Sequence, residues 1–193
     1  AIFGLLHALG CCIVFIDEAD QALGKRDAGS GDSGVSGRVY SMMAKEMSNS
    51  RNRGKILWIL ASSRPDLIEV DLKRPGRVDV KIPLFPAHEP EESYQLIRAL
   101  GMKHNLDLPD SCPEELVELV PSLVTPGAVE SIAVKMYRRV KTTGVGALEA
   151  LKDCLDEYQN PIPQDVMDFQ IGLAVKEASD LEFVPNQFRK FGR

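Results

Sequence analysis

Apolar runs in the first half of the chain predict β-strands. Residues 11–16 and 55–61 are short, nearly unbroken apolar stretches, many of whose residues favour strands. Such runs are typical of strands that are buried on both faces of a parallel sheet. Residues 78–84, which end before Phe85 and Pro86, are predicted to form a third strand.

Apolar residues recur at helical spacing elsewhere in the chain. This periodicity predicts helices over residues 38–48, 89–102, 113–120, 125–141, 144–158 and 164–177. Thr125 is suited to cap the N-terminus of its helix, and Pro126 then occupies the first helical position. Residues 66–73 are predicted to form a short helix or turn. Residues 24–37, which are rich in Gly, Ser and Asp, are predicted to form a mobile loop.

Because strands come first and helices follow, the sequence predicts an α/β domain over residues 1–86 and a helical domain over residues 87–193. Charge changes at the same place: the first stretch has a net charge of +2 and the second of −7. The overall balance of −5 disfavours a protein that coats nucleic acid. With no signal peptide and no apolar run long enough to cross a bilayer, we expect no membrane segment and a cytoplasmic protein.

The cysteines do not form a metal-binding pattern. Cys11 and Cys12 are adjacent in an apolar run, Cys112 and Cys154 are isolated, and no CxxC pair occurs. The histidines have no ligand spacing to them. This usage indicates reduced, buried thiols in a cytosolic protein.

Two acids, Asp17 and Glu18, follow the first predicted strand directly. The carboxyl ends of strands border the crevice in which α/β sheets bind ligands. A carboxylate there is suited to hold Mg²⁺ through water, and its neighbour to orient or deprotonate a water for attack on phosphorus. The plainer interpretation is a strand that merely ends in acids.

Two arginines, Arg74 and Arg77, lie on either side of a Pro-Gly turn. Such a turn holds planar, permanently charged groups at the surface, where one can stabilise the charge on a phosphoryl group bound by a neighbouring subunit. The alternative is an ordinary charged surface turn. Ser63, at the end of the second strand, is placed to contact a phosphate or the attacking water, which by itself is a weak indication.

In this order and spacing, the motifs resemble the AAA family of ATPases. Asp17 and Glu18 resemble its Walker B pair, and Ser63 falls at its sensor 1 position. Residues 64–79 resemble the family's second region of homology, which is highly specific. The resemblance covers residues 1–140.

The resemblance extends to two further features of that family. Arg74 and Arg77 match its arginine fingers. The small residues Gly127 and Ala128 match the turn that opens the sensor 2 helix of the lid, and are implied to contact the nucleotide. The implied fold is a partial three-layer αβα P-loop NTPase domain with a parallel sheet, followed by an all-α lid.

The resemblance also implies an activity, which is ATP hydrolysis with Mg²⁺ at the interfaces of a ring, usually a hexamer. Glu18 would activate water, Asp17 would hold Mg²⁺ through water, and Arg74 and Arg77 would reach the next subunit's ATP. The substrate would be a macromolecule that the sequence does not identify. Residues 24–37 would fall at the second pore loop.

One element of the family pattern is not found in the 193 residues, namely the phosphate-binding loop GxxxxGK[ST]. We therefore expect this piece alone to be inactive. Because residues 1–9 resemble a helix entered partway, we expect the chain to begin inside a domain. Ser63 also stands where the family usually has Asn, although a hydroxyl still donates to phosphate or water.

Two other interpretations fit part of the sequence. The sequence Asp17-Glu18-Ala19-Asp20 is also that of the DEAD-box helicases, but residues 87–193 indicate helices where such a helicase needs a second α/β domain. The non-enzymatic alternative is a degenerate AAA module that serves as a scaffold or regulator.

Residues 142–193 lie largely outside the resemblance. They are compatible with extra lid helices or with a partner-binding extension. Residues 184–191 are expected to form a frayed terminus that packs on the lid.

Overall fold

The computed structural model describes residues 2–23 and 33–192, which fall into two compact units. The first unit comprises Ala1–Pro83 together with Asp168–Arg193, and the second comprises Leu84–Met167. The predicted boundary at residue 86 lies close to the observed one. The C-terminal residues, however, group with the α/β part and not with the predicted helical domain.

A parallel two-stranded sheet is the centre of the first unit. Strand β1 (Cys12–Ile16) pairs with β2 (Ile56–Leu60), with Cys12 opposite Ile56 and Ile16 opposite Leu60. The helices of this part are α1 (Ile2–Leu9), α2 (Ala19–Leu23) and α3 (Ser33–Ser48), and 3₁₀ turns follow at Pro65–Leu67 and Val70–Lys73. The first two predicted strands and the short helical segment over residues 66–73 are thereby confirmed.

One face of this sheet is covered. Alternate strand residues, among them Ile16, Trp58 and Leu60, pack against a cluster of buried side chains. The cluster consists of Ala19, Leu23, Met43, Ala44, Met47, Ile68 and Leu72. It joins α2, α3 and the 3₁₀ turns to the sheet, so burial of apolar surface on this face stabilises the segments that follow each strand.

The other face of the sheet is exposed. Its side chains are Ile13 (66% exposed), Phe15 (61%), Leu57 (57%) and Ile59 (41%). The prediction that the strands are buried on both faces is therefore wrong for the described residues, because the described helices cover only the opposite face. We call these four residues the open sheet face.

Residues 78–84 do not form the third strand that the sequence predicts. A strand requires a neighbour to accept its ladder of hydrogen bonds. The backbone of Lys81 instead bonds to Ser179, and Val80, Ile82 and Leu84 are exposed. An apolar pattern alone therefore does not make this segment a strand, because no described segment pairs with it along a ladder.

The polar segment between the first two strands is shorter than predicted. Residues 33–37 already belong to α3, which lengthens the predicted helix at its N-terminus. Residues 24–32, which carry most of the predicted loop and the implied second pore loop, lie outside the described residues.

The second unit is helical. It contains α4 (Pro90–Met102), α5 (Pro126–Thr143), α6 (Ala147–Asp156) and the beginning of α7 (Gln164–Glu177). Its core is built from these helices and the loops between them and includes Tyr94, Ile97, Leu116, Val129, Ile132, Met136 and Leu151, all nearly or fully inaccessible. An α/β part with a parallel sheet and a helical part together confirm the predicted fold class.

Two helices of this part differ from their predicted extents. The helix predicted over residues 113–120 is reduced to a 3₁₀ turn at Glu114–Leu116, after which the N–H groups of Leu119 and Val120 both donate to the carbonyl oxygen of Leu116 in a tight turn. Helix α5 runs on to Thr143 and ends at Gly144, whose positive φ of 75° gives a left-handed cap.

The C-terminal segment packs within the first unit. After α7 it forms 3₁₀ turns at Leu181–Phe183 and Asn186–Gly192. Val184 and Phe188 are buried, with only 1% and 2% of their surface exposed to solvent. The expectation of a frayed terminus on the lid is wrong, because these two apolar side chains are buried in the α/β unit.

Candidate functional site

The acid pair lies at the carboxyl end of β1, and both side chains are exposed. The backbone N–H of Glu18 donates to Asp17 Oδ1 at 2.9 Å, which fixes that carboxylate. Glu18 itself has a φ of 48°, in the left-handed region that is uncommon for residues other than glycine. The chain therefore turns at Glu18 and does not merely continue the strand.

The end of β2 lies beside this turn. Past the last strand pair, the N–H of Ala61 donates to the carbonyl oxygen of Ile16, and the N–H of Ala19 donates to that of Ala61, each at 2.9 Å. These bonds continue the parallel pairing and place the chain around Glu18 next to the chain around Ser63. Ser63 is exposed. The structure thus brings together the ends of both strands at one edge of the sheet.

Two polar contacts that the sequence pattern does not indicate stabilise this edge. Ser62 Oγ donates to Asp20 Oδ1 and accepts from the N–H of Arg64 at 3.0 Å, which ties the residues after β2 to α2. The Arg64 guanidinium forms two hydrogen bonds with Asp66, at 3.0 and 2.9 Å. Those bonds keep the pKa of Asp66 below its usual value. The spacing of two residues between Arg64 and Asp66 was the only sequence signal.

Arg74 projects from the turn after the second 3₁₀ segment. Its side chain is 71% exposed, and its one ion pair with a described residue is to Asp71 Oδ1 at 3.2 Å. Exposed pairs of this kind contribute little to stability, so the Arg74 guanidinium is available to a ligand outside the unit.

Arg77 has different surroundings. Its side chain is 23% exposed, its Nε donates to Ser48 Oγ at 2.7 Å, and its Nη1 donates to the carbonyl oxygen of Asp71 at 3.0 Å and to Asp71 Oδ2. The guanidinium therefore links α3 to the 3₁₀ turn that precedes it. The hydrogen bond from Arg77, together with both arginine charges, lowers the pKa of Asp71.

The turn at the start of α5 lies in the second unit. Thr125 Oγ1 accepts from the N–H of Ala128 at 3.4 Å, and Pro126 is the first helical residue, which confirms the predicted cap. Gly127 is exposed, whereas Ala128 retains 4% of its exposure. Its methyl group therefore belongs to the core, so a ligand at this turn has Gly127 as the exposed residue of the pair.

The donor chemistry at Asp17 fits an Mg²⁺ ion. One oxygen of this exposed carboxylate accepts the Glu18 N–H, and neither acid forms an ion pair with another described residue. Mg²⁺ is commonly bound through one or two carboxylates while it keeps several waters. Across residues 2–23 and 33–192 no three His, Cys, Asp or Glu residues cluster as ligands, so a site on these residues would be mostly hydrated.

The comparison with protein families decides the affiliation. Residues 1–85 match the family described as ATPase family associated with various cellular activities (AAA). This part of the chain belongs to the AAA family. The match includes the acid pair, Ser63 and both arginines, and it ends near the boundary of the first unit at Pro83.

Relatives extend the AAA likeness beyond the first unit. The chain is 28% identical over 194 residues to peroxisomal ATPase PEX6 of Dictyostelium discoideum, which covers 97% of the chain and 16% of that protein. It is 29% identical over 159 residues to the cell division cycle protein 48 homolog of Archaeoglobus fulgidus (73% of the chain, 22% of that protein). It is 34% identical over 106 residues to peroxisomal ATPase PEX1 of Arthrobotrys oligospora (55% and 9%).

The chain thus spans less than a quarter of the length of each of these AAA relatives. Within the part of the chain that the structure describes, no helix has the length and apolar character needed to cross a bilayer.

The four cysteines are all free thiols. Cys11 is exposed, so the prediction of buried thiols is wrong at that position.

Proposed function

We propose that this AAA chain supplies the hydrolytic half of an ATPase whose sites lie between subunits. Glu18 is the general base that activates water, and Asp17 holds Mg²⁺ through water. Ser63 donates to the γ-phosphate or to the attacking water. Asp17, Glu18 and Ser63 follow the carboxyl ends of neighbouring strands. The crevice outside such strand ends is where α/β sheets bind ligands.

The exposure of the acid pair supports this role. An exposed carboxylate at the end of β1 is free to accept a proton from water, and no lysine or arginine among the described residues pairs with it. Mg²⁺, when bound, neutralises developing charge on the phosphate oxygens. The Glu18 side chain is exposed to solvent, while the neighbouring Asp17 carboxylate accepts a hydrogen bond from the Glu18 N–H.

The two arginines take different roles in this proposal. Arg74, which is exposed, stabilises the charge on the phosphoryl group held by the neighbouring subunit. Arg77 holds the turn in place through Asp71 and Ser48. The trans-acting group is therefore Arg74, and the contribution of Arg77 is indirect unless its bonds to Asp71 and Ser48 are released.

The complete protein is proposed to work as a cytoplasmic ring, with six subunits as the family's usual number. Its ATP turnover remodels a macromolecular substrate. Relatives that bear the names peroxisomal ATPase and cell division cycle protein support a motor of this general kind, without indicating which substrate this chain acts on. Of the two small residues at the start of α5, the exposed Gly127 is the one proposed to contact the nucleotide, because the methyl group of Ala128 is buried in the core.

The observation that carries the proposal is the side-by-side arrangement of the β1 and β2 ends, with Glu18 exposed in a left-handed turn. The test is ATP turnover by the intact protein, with wild type compared to Glu18→Gln. We expect Glu18→Gln to lower kcat by about 10²–10⁴-fold, the usual contribution of a general base, and to leave nucleotide binding unchanged.

A matched control for this test is Glu115→Gln, which removes the same charge from an exposed residue of the second unit. It should turn over ATP at the wild-type rate. Equal turnover by wild type and Glu18→Gln would overturn the ATPase proposal and favour a degenerate module that acts as a scaffold.

A further inference from the structure

The C-terminal end of α7 holds the segment that carries both arginines. Glu177, the last residue of α7, accepts from Lys73 Nζ through Oε1 at 2.6 Å. Its second oxygen, Oε2, lies 3.8 Å from Lys81 Nζ. Lys73 immediately precedes Arg74, and Lys81 follows Arg77 by four residues. One carboxylate therefore bridges the two sides of the arginine turn, which we define as residues 74–77.

A second attachment lies two residues further along the chain. The N–H of Ser179 donates to the carbonyl oxygen of Lys81 at 3.1 Å, and the N–H of Lys81 donates to Ser179 Oγ at 2.5 Å. Both backbone groups of Lys81 are thus satisfied by one residue. The C-terminal segment replaces the strand neighbour that residues 78–84 do not have, and it fixes the chain that leaves the arginine turn.

The ion pair is shielded enough to position the turn. The side chains of Lys73 and Glu177 are 14% and 25% exposed, in contrast to 71% for Arg74. Leu72, directly before Lys73, is fully buried in the core of the first unit. The turn is therefore anchored by Leu72, by Lys73 with Glu177, and by Lys81, while Arg74 itself projects into solvent.

An exposed arginine that acts on another subunit needs such support. A flexible side chain contributes to a transition state only if its backbone is held in the productive geometry, and a displacement of ~1 Å can cost up to about a hundredfold in rate. The side chain of Arg74 does not supply this support, because its one ion pair with a described residue is to the partly exposed Asp71 carboxylate.

We propose that Glu177 is a positioning residue for Arg74. Through Lys73 and Lys81 it fixes the arginine turn so that the guanidinium reaches the neighbouring nucleotide. This inference rests on the proposed trans-acting role of Arg74. It assigns part of the hydrolytic apparatus to the end of the chain, outside the 1–85 stretch that matches the family.

The test is the substitution Glu177→Gln in the intact protein. It removes the negative charge and keeps the shape. We expect kcat for ATP to fall at least about tenfold, toward the hundredfold limit for a misplaced group, while KM stays at the wild-type value. The matched control is Glu182→Gln in the same segment, since Glu182 is exposed and has no ion pair with another described residue. It should behave as wild type.

Hydrogen–deuterium exchange separates positioning from general loss of structure. In Glu177→Gln, the amides of residues 76–81 should exchange faster, because those of Gly76, Arg77, Val78 and Lys81 are all hydrogen bonded in the braced turn. The amides of β1 and β2 should exchange at the wild-type rate. Faster exchange in both strands would overturn the positioning role, since it would mean that Glu177 only stabilises the unit.

Arg74→Ala serves as the reference that separates the two proposals. If Arg74→Ala lowers kcat but Glu177→Gln retains wild-type kcat, the positioning role of Glu177 is overturned and the trans-acting role of Arg74 stands. If Arg74→Ala retains wild-type kcat, the proposed trans-acting role of Arg74 fails, and the positioning role of Glu177 fails with it.

Discussion

Arg74 and Arg77 lie three positions apart but have different surroundings. Arg74 is 71% exposed and forms one weak ion pair with a described residue, whereas Arg77 is 23% exposed and bonds to Asp71 and Ser48. A pair of basic residues flanking a turn indicated equal roles for both. The difference comes from contacts in the fold, because Arg77 bonds to Ser48, 29 positions earlier in the chain, whereas Arg74 projects into solvent.

This difference predicts separate effects on stability and turnover. Arg74→Ala should change the free energy of unfolding by no more than about 0.5 kcal/mol, as expected of an exposed surface position. It should lower ATP turnover by about 10³-fold or more. Arg77→Ala, unlike Arg74→Ala, should lower the melting temperature of the protein, because Asp71 and Ser48 lose their hydrogen-bond donor. Thermal unfolding and ATP turnover of both variants check this. Equal melting temperatures of Arg77→Ala and Arg74→Ala would contradict the supporting role of Arg77.

Asp71 predicts a pH effect. The hydrogen bond from Arg77 and the two arginine charges lower the pKa of Asp71 in the folded state. A lowered carboxyl pKa stabilises the fold above the unfolded value, about 3.9 for Asp, and this stabilisation is lost as pH falls through the lower folded pKa. Urea unfolding of wild type and Asp71→Asn should therefore differ at neutral pH and converge in acid.

The control for the pH series is Asp107→Asn, at an exposed carboxylate outside the first unit. Its stability should follow the wild-type curve throughout. A difference between wild type and Asp71→Asn that stays constant into strong acid would show that ionisation of Asp71 plays no part.

At the scale of elements, the open sheet face is the main feature that sequence patterns did not indicate. Ile13 lies opposite Leu57, and Phe15 lies opposite Ile59, so the four exposed side chains form one continuous apolar surface. Continuous exposed apolar surface mediates association. The same alternation on the covered face packs against α2 and α3.

This surface predicts dye binding by the 193-residue chain. An apolar reporter such as ANS should fluoresce with wild type and much less with Phe15→Ser, because the largest side chain of the open sheet face is removed. Leu181→Ser is the control, since Leu181 is 61% exposed but is not on a strand. Equal fluorescence of Phe15→Ser and wild type would contradict an accessible sheet face.

Elements that local patterns specify were predicted well. The two strands have unbroken apolar runs, and α5 has a capping Thr125, a Pro126 at its first position and a regular apolar face. Elements that depend on a partner were not. Residues 78–84 have a strand-like sequence, yet Lys81 bonds to Ser179, 98 positions away, and no strand forms. Sequence periodicity carries no record of such distant partners.

At the scale of the molecule, the C-terminal segment belongs with the strands and not with the helices that precede it. Val184 and Phe188 are buried there, and Glu177 reaches Lys73. The charge shift at residue 86 located the start of the helical unit but carried no signal for its end. The placement of Asp17, Glu18 and Ser63, in contrast, could be predicted, because they follow recognisable strands; their roles in the site stay predictions.

The sequence also predicts how the chain handles nucleotide on its own. No GxxxxGK[ST] loop occurs in the 193 residues, so the backbone amides and lysine that hold the β and γ phosphates are not supplied by them. Calorimetric titration of these residues with ATP should give a Kd weaker than about 1 mM. Micromolar affinity would contradict the assignment of phosphate binding to that loop.

The most direct test of catalysis across an interface is ATP turnover by mixed assemblies of the intact protein. Glu18→Gln lacks the base but supplies Arg74, and Arg74→Ala lacks the arginine but keeps the base. Each variant alone should be nearly inactive. Mixed before assembly, they should regain turnover, because some interfaces then combine an intact Glu18 with an intact Arg74. If the mixture turned over ATP no faster than the two separate variants, base and arginine would not act from different subunits.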